Sequence, residues 1–547
     1  MTGERIYLYD TTLRDGAQTQ DVDFTVADKI AIARDLDALG IDYVEGGWPG
    51  ANPTDDQFFA DPPAFSRATF TAFGMTRRPG RSAANDPGLA GLFNARCAAV
   101  CMVGKTWDFH VDVALGIPRD ENLELIRDSV AAARAAKGEA LFDAEHFFDG
   151  YKRNPAYAAS CIKAAYEAGA RWVVLCDTNG GTLPHEVEAI VRQVIEEHGI
   201  PGDRLGIHCH NDTENAVANS LAAVRAGARM IQGTLNGLGE RCGNANLVSL
   251  IPTLILKMGY RTGVKPEDLP RLTEVSRNLD RILNRESNRH AAYVGASAFA
   301  HKGGLHVSAI EKDPDTYEHV RPDAVGNRRR IVVSDQAGRS NVLARLRDFE
   351  IDGIDPADRR IGALVDLIKR RDTEGYSYDA AEASLELLIR GHFGTVPSYF
   401  TLERFWVTDE RRYRLNGAMI TESEAVVKLT IPNTNDARLE AAEGNGPVNA
   451  LDNALRKALE PTYPALKGIT LTDYRVRIIA NERGERVGSG TRPRVLITTR
   501  DSSTGKEWAT LGVSTDIINA SVDALLDAYT FKLLKDGVEP WPGAAAP

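Results

Sequence analysis

The feature that most constrains the fold of this chain is a regular alternation of β-rich runs and helical patterns over about the first 250 residues. Helical patterns such as Asp28–Leu39 and the alanine-rich Asn122–Lys137 separate the runs. Eight β-then-α units predict an α/β fold of the (β/α)8 TIM-barrel type. A doubly wound sheet usually has fewer strands and a glycine-rich first turn, and no G-x-G-x-x-G follows the first run. The eight runs are Ile6–Tyr9, Tyr43–Glu45, Thr69–Phe73, Ala98–Val103, Ala140–Glu145, Trp172–Cys176, Leu205–His208 and Met230–Leu235.

The chain of 547 residues is too long for a single core. We predict a barrel over residues 1–275, a mostly helical linker or lid region over 276–395 and a small α+β domain over 396–547. In the last part, alternating apolar residues predict strands around residues 427–431, 476–478 and 495–497. Two helices are also predicted in this part. The similar runs Asn449–Leu455 and Ala520–Leu526 suggest two related halves.

Charge, apolar run length and cysteine spacing indicate which partners, location and disulfide content to expect. The formal net charge is −11 and both signs are mixed along the chain, which argues against nucleic acid or an anionic membrane as the main partner. No run of 18 apolar residues occurs, so we expect no transmembrane helix and a cytoplasmic protein. Six scattered cysteines without a CxxC pair are typical of reduced core residues and not of a disulfide framework.

Polar residues cluster where seven of the eight predicted strands end. Because the active sites of TIM barrels lie at the carboxyl ends of the strands, we expect these residues to converge on one mouth. Each cluster alone could be a capped turn or a solvated loop, but all of them together favour an active site. The clusters are Asp10–Asp15, Glu45, Lys105–His110, Glu145 with His146, Asp177–Asn179, His208 with His210, and Asn236–Asn244.

The His208-Cys209-His210 run predicts half of a metal site. Side chains alternate along a strand, so the two imidazoles face one way and Cys209 faces the other. Asp15 can add a carboxylate oxygen, and such a nitrogen and oxygen set suits Zn, Mn, Co or, less well, Mg. The alternative is a hydrogen-bonded histidine pair in the core. Arg14 could stabilise a developing alkoxide or enolate near the metal, or form a surface salt bridge to Glu45 or Asp177.

Three motifs resemble signatures of the alpha-isopropylmalate and homocitrate synthase family of metal-dependent Claisen-condensing barrels. They are Leu13–Gln18 followed by Lys29, the set Leu205, His208, His210, Asn211 and Asp212, and Gly237–Asn244. The resemblance implies Asn244 as a fourth metal ligand beside Asp15, His208 and His210. The chain departs from the family at Glu214, which replaces a glycine on what we expect to be the helix after strand 7.

The same resemblance implies roles for further residues. His301 and His306 match a family motif after the barrel, F-x-H-x-x-G-x-H, and suggest a mobile lid that carries the catalytic base. The alternative is a structural loop. Glu145 matches the active-site glutamate, and Thr178 matches the threonine that holds the substrate carboxylate, while Gln18 and His110 are expected to bind substrate. Two places before Glu145, Asp143 replaces the usual serine.

The stretches Glu45–Pro53, Gly104–His110 and Glu145–Tyr151 resemble the branch of the family that condenses acetyl-CoA with pyruvate to give (R)-citramalate on an isoleucine route. The alternatives are the larger 2-oxo acids used by the isopropylmalate and homocitrate branches, a lyase or aldolase on the same barrel, or a non-catalytic amino-acid sensor. The C-terminal domain implies feedback inhibition, for which pathway logic suggests isoleucine, and a homodimer; alternatively, it is a dimerisation module without a ligand.

Overall fold

The structure is a computed structural model that describes residues 3–332, 338–413, 419–433, 437–479 and 492–541. The chain separates into two compact units. The first comprises Met1–Phe299 with His319–Arg329, and the second comprises Ala300–Glu318 with Arg330–Pro547. Among the described helices, none is both long enough and apolar enough to cross a membrane.

Within residues 3–299, eight parallel strands form a closed barrel, because β1 pairs with β2 on one side and with β8 on the other. Each predicted run overlaps one of these strands, so the predicted barrel is confirmed. The strands are β1 Tyr7–Asp10, β2 Tyr43–Glu45, β3 Thr69–Met75, β4 Ala99–Lys105, β5 Ala140–Glu145, β6 Trp172–Asp177, β7 Leu205–Cys209 and β8 Met230–Gly233.

The helices of the first unit surround the strands. They begin and end where the sequence provides caps: the side chain of Thr25 accepts from the backbone N–H of Asp28 at the start of α1, and Gly40 adopts a positive φ of 102° at its end. The helices are α1 Val26–Leu39, α2 Pro53–Ala60, α3 Pro87–Asn94, α4 Asp108–His110, α5 Arg119–Lys137, α6 Phe147–Arg153, α7 Pro155–Glu167, α8 Pro184–His198, α9 Ala216–Ala226, α10 Leu247–Pro252 and α11 Leu272–Ile282.

Alternation along the strands divides the apolar residues between two cores. In β6, Val173 and Leu175 pack outward against the helices, whereas Trp172 and Val174 pack into the barrel interior. The interior is therefore filled by large side chains and is not a pore. A cavity of about 250 Å³ lies at the carboxyl ends of strands β2 to β5, beside the polar clusters.

The second unit begins with helices and ends with two similar halves. β9 Ala300–His301 pairs in parallel with β10 Arg330–Ile331, and four helices belong to this part: α12 Gly304–Lys312, α13 Arg339–Asp348, α14 Arg359–Thr373 and α15 Glu382–His392. Two three-stranded antiparallel sheets follow, each with a helix after it. The two related halves are confirmed. They consist of β11 Thr401–Tyr413, β12 Met419–Thr430, β13 Arg438–Gly444 and α16 Pro447–Leu459, then β14 Ile469–Ile478, β15 Pro493–Asp501, β16 Glu507–Val513 and α17 Ile517–Lys535.

Candidate active site

Asp15, His208 and His210 meet at the mouth of the barrel. One ligand atom from each lies within 4.8 Å of the others, and all three residues are buried. The Nε2 of His208 is 3.3 Å from Oδ2 of Asp15 and 3.4 Å from Nε2 of His210. The sequence prediction that these three residues come together agrees with the structure, and they form a group that is able to hold a metal ion.

The two histidines face inward because of the strand period. Leu205, Ile207 and Cys209 of β7 all pack in the outer core between strands and helices, so the residues between them face the barrel interior. Burial raises the pKa of the Cys209 thiol well above its ordinary value. Cys209 is therefore a neutral core residue, and the site offers nitrogen and oxygen donors without a thiolate.

Asn244 joins the cluster through the backbone. The backbone of Asn244 forms an isolated antiparallel bridge with that of His210, and the N–H of Ala245 donates to the carbonyl of Cys209 over 2.9 Å. The side-chain Nδ2 of Asn244 donates to Oδ2 of Asp15 over 2.8 Å and lies 3.2 Å from Nε2 of His208. At Gly239, φ is 154° and a Cβ would lie 1.9 Å from Oδ1 of Asn244, so a side chain at position 239 would displace the amide.

Two buried polar atoms of the cluster have no hydrogen-bond partner within the described residues: Nδ1 of His210 and Oδ1 of Asn244. Such atoms are costly to bury, and at functional sites they often serve a ligand or an ion. Burial, with His208 adding to the effect, lowers the pKa of His210 to about 3, so its imidazole is neutral. A neutral imidazole is the form that binds a metal.

The charge balance of the mouth also fits a cation. Asp10, Asp15, Glu45 and Asp143 are all buried here, and Arg14 pairs with Asp15 and Glu45. Burial raises the pKa of Asp10 to about 7 and raises the pKa values of Glu45 and Asp143. Because burial penalises each uncompensated negative charge, a divalent cation would stabilise the ionised carboxylates. The residues present therefore fit a metal ion.

Arg14 is held in a fixed position. Its Nε donates to Oε2 of Glu45 over 2.6 Å, its NH1 is 2.9 Å from Oδ1 of Asp15, and its guanidinium lies 3.9 Å from the ring centre of Phe73. Tyr9 donates to the other oxygen of Glu45 over 2.7 Å. The predicted partner Glu45 is correct, but Glu45 is fully buried and the Arg14 side chain is only 13% exposed, so the pair is not a surface salt bridge.

Glu145 and Thr178 lie at the ends of neighbouring strands. Glu145 pairs with Lys105, and both line a cavity of about 250 Å³ together with Trp48 and Arg77. The Oγ1 of Thr178 accepts a hydrogen bond from the backbone N–H of His146 over 2.8 Å. These two predicted site residues therefore face the same end of the barrel, where the ends of β5 and β6 meet.

His110 belongs to a small aromatic cluster. Its ring stacks on Trp107 at 5.2 Å and is 4.2 Å from the ring of His146. Burial and the nearby His146 lower its pKa. Gln18, the last residue of a short 3-10 turn, is exposed. Substrate binding by His110 and Gln18 remains a prediction.

His301 and His306 belong to the second unit. Nε2 of His301 is 3.4 Å from Oε1 of Glu318, whereas His306 is exposed and stacks on Tyr317 at 4.2 Å. These contacts lie within the second unit and do not test the predicted catalytic role of either residue. That role remains a prediction.

Two further motif residues stabilise the mouth. Arg241 donates to both carboxylate oxygens of Asp212, over 2.7 and 2.9 Å, and to the carbonyl of Thr178 over 2.8 Å.

Glu214 does not lie on a helix as expected. It lies in the turn before α9 with a φ of 57°, a left-handed conformation that favours glycine and costs other residues about 1 to 2 kcal/mol.

Sequence reasoning missed Gln232, and it placed Lys105 at the mouth without predicting its ion pair with Glu145. Gln232 is buried and lies 2.8 Å from Nδ1 of His208, and Lys105 pairs with Glu145. The available signal for Gln232 was a polar residue on the inward face of an otherwise apolar strand, since such a residue needs a buried partner.

Comparison with known proteins follows the same division of the chain. Residues 5–276 match the HMGL-like family, residues 293–374 the homocitrate synthase post-HMGL domain-like family, and residues 379–533 the LeuA allosteric (dimerisation) domain. An (R)-citramalate synthase of Aquifex aeolicus is 49% identical and aligns over 98% of this chain and 99% of its own. The chain belongs to the (R)-citramalate synthase family.

Other members of this family are similar over the same length. The Geobacter sulfurreducens (R)-citramalate synthase is 49% identical over 97% of this chain and 98% of its own. The Synechocystis protein of the same name is 46% identical over 97% of both chains. The resemblance recognised from the three motifs is thereby confirmed.

The geometry of the mouth predicts the effect of removing one negative charge. Asp15→Asn keeps the side-chain shape but removes one charge of a buried charged set, which typically costs about 3 kcal/mol of interaction free energy. A loss of that size is roughly a 100-fold weaker affinity. We expect this loss for Mn²⁺ in equilibrium dialysis of protein first treated with EDTA. The matched change Asp112→Asn, at an exposed position, should leave the affinity unchanged. Equal affinities in the two variants would contradict a metal site at Asp15.

Proposed function

We propose that this protein condenses acetyl-CoA with pyruvate and water to give (R)-citramalate and CoA, as an acyltransferase of isoleucine biosynthesis. The sequence identity of 46–49% to (R)-citramalate synthases over nearly the whole chain carries the proposal. The buried Asp15, His208 and His210 cluster supports it, because a Claisen condensation needs a group that polarises the acceptor carbonyl.

Asp15, His208, His210 and Asn244 would hold the divalent cation. Two imidazole nitrogens with two oxygens favour Zn, Mn or Co over Mg. When bound, the cation supplies a Lewis acid to the oxygens of the 2-oxo acid. The burial of all four side chains around one point supports this assignment.

Arg14 provides a permanent positive charge for the keto oxygen. Its guanidinium is already oriented by Glu45, Asp15 and the ring of Phe73, so little reorganisation is needed when negative charge develops. Thr178 would orient the carboxylate of pyruvate, with His110 and Gln18 as further substrate contacts. The backbone N–H of His146 already holds the Thr178 hydroxyl.

The acetyl methyl group must lose a proton before the new C–C bond forms. We assign this step to His306, with His301 as the second candidate base, and we assign Glu145 as a further catalytic residue. The resulting enolate carbon attacks the keto carbon of pyruvate, whose oxygen takes up a proton. Water then cleaves the thioester and releases CoA. Lys105 holds the Glu145 carboxylate by an ion pair.

The aromatic side chains at the mouth support pyruvate as the acceptor. Trp48 packs edge to face against Phe73 with ring centres 5.7 Å apart, and the guanidinium of Arg14 lies over the ring of Phe73. Bulky rings beside the guanidinium leave less space for the isopropyl group of 2-oxoisovalerate or the carboxyethyl group of 2-oxoglutarate.

A substrate comparison tests this choice. Each extra methylene discriminates by about 1 to 3 kcal/mol, so we expect kcat/KM for pyruvate to exceed the values for 2-oxoisovalerate and 2-oxoglutarate by roughly 10- to 200-fold. The measurement is CoA release by the purified protein with each acid and acetyl-CoA. A preference for either larger acid would overturn the assignment of pyruvate.

We further propose that the second unit makes the protein a homodimer and carries feedback inhibition by isoleucine. Its match to the LeuA allosteric (dimerisation) domain supports both parts of this proposal. A cytoplasmic location agrees with six free cysteines, which are typical of a reducing compartment.

Isoleucine at millimolar concentration should lower the rate of CoA release. The Asp15→Ala variant should lose turnover while it still binds isoleucine in calorimetry, because the effector site is assigned to the other unit. If neither isoleucine nor leucine changes the rate, the regulatory assignment is wrong. If Asp15→Ala retains turnover, a catalytic metal at that site is excluded.

A further inference from the structure

A chain of buried polar side chains lies behind His208. Nδ1 of His208 is 2.8 Å from Oε1 of Gln232, and Nε2 of Gln232 donates to Oδ1 of Asp143 over 2.9 Å. The same Asp143 oxygen accepts from the thiol of Cys101 over 3.2 Å. Gln232 is fully buried and Asp143 is 3% exposed, so both depend on these partners for their hydrogen bonds.

The chain links strands that are not neighbours in the barrel. Gln232 is the direct register partner of His208 across β7 and β8, so backbone pairing sets the spacing of the two side chains. Asp143 lies on β5, which pairs only with β4 and β6 among the barrel strands. The Gln232 to Asp143 bond therefore crosses the barrel interior.

The chemistry of the three groups determines the orientation of each one. Oδ1 of Asp143 accepts from the thiol of Cys101, so Gln232 must present its NH2 group to the same oxygen. The carbonyl oxygen of Gln232 then faces His208 and can only accept. Nδ1 of His208 must carry the proton, which leaves a lone pair on Nε2, the atom that lies 3.3 Å from Asp15.

We propose that Gln232 and Asp143 are positioning residues that hold His208 in the tautomer and ring orientation needed to bind the metal. This inference rests on the proposed metal site. Without Asp143, the Gln232 amide could turn over and present NH2 to Nδ1 of His208, which would favour the opposite tautomer, with its proton on the metal-facing nitrogen.

The direct test replaces Gln232 by a side chain of similar length that accepts from His208 only weakly. Loss of the group that orients a metal-binding histidine typically weakens metal affinity by about 10- to 100-fold. We expect that loss for Mn²⁺ in equilibrium dialysis of full-length Gln232→Met protein. The matched control is Gln193→Met, at an exposed position on α8, which should bind Mn²⁺ as the unmodified protein does.

A second pair of variants separates positioning from simple packing. Asp143→Asn retains an oxygen that can accept from Gln232, so it should keep most of the Mn²⁺ affinity, whereas Asp143→Leu should lose it. The double variant Gln232→Met with Asp143→Leu should be no weaker than Gln232→Met alone, because both changes break the same chain. Thermal unfolding of the metal-free proteins checks folding, and if Gln232→Met does not fold, the Asp143 pair carries the test.

The outcomes distinguish this inference from the metal site on which it rests. If the unmodified protein does not bind Mn²⁺, both are overturned. If it binds Mn²⁺ and Gln232→Met binds equally well, the metal site stands and the positioning role is wrong. Equal affinities for Asp143→Asn and Asp143→Leu would also overturn the role of Asp143.

Discussion

The constraint on which the rest of the structure depends is the closure of the barrel by pairing of β1 with β8. This closure brings Asp15, at the end of β1, next to Asn244, which is 229 positions away in the sequence. The neighbouring pairing of β7 with β8 adds His208 to the same point. Four donors from three separate segments thus meet at one point, and preorganisation of this kind lowers the cost of binding a cation.

Electrostatics explains why such a crowded group of acids is tolerated. Asp10, Asp15, Glu45 and Asp143 are buried within one mouth, and Arg14 compensates only part of their charge. In a low-dielectric interior this arrangement would be costly unless a further cation balances it. The polar network that costs stability in the absence of a metal is therefore the same network that would select and hold one.

Patterns with a short period made much of this predictable. The period of two along Leu205–Cys209 predicted which histidines face inward, and eight repeated units predicted the barrel. Partners across the barrel interior could not be predicted, because the Gln232 to Asp143 contact depends on strand stagger and not on sequence spacing. The left-handed φ of Glu214 was likewise hidden, since it is set by a turn. The domain boundaries and the roles of His301 and His306 remain predictions.

The central claim is that Asp15, His208, His210 and Asn244 form one metal centre that serves a 2-oxo acid. The most direct measurement is a crystal structure of the protein grown with Mn²⁺ and pyruvate, with anomalous diffraction to locate the metal. The account predicts a single anomalous peak within about 2.0 to 2.4 Å of the donor atoms of these residues, with pyruvate beside Arg14. A peak elsewhere, or hydrogen-bonded histidines with no peak between them, would contradict it.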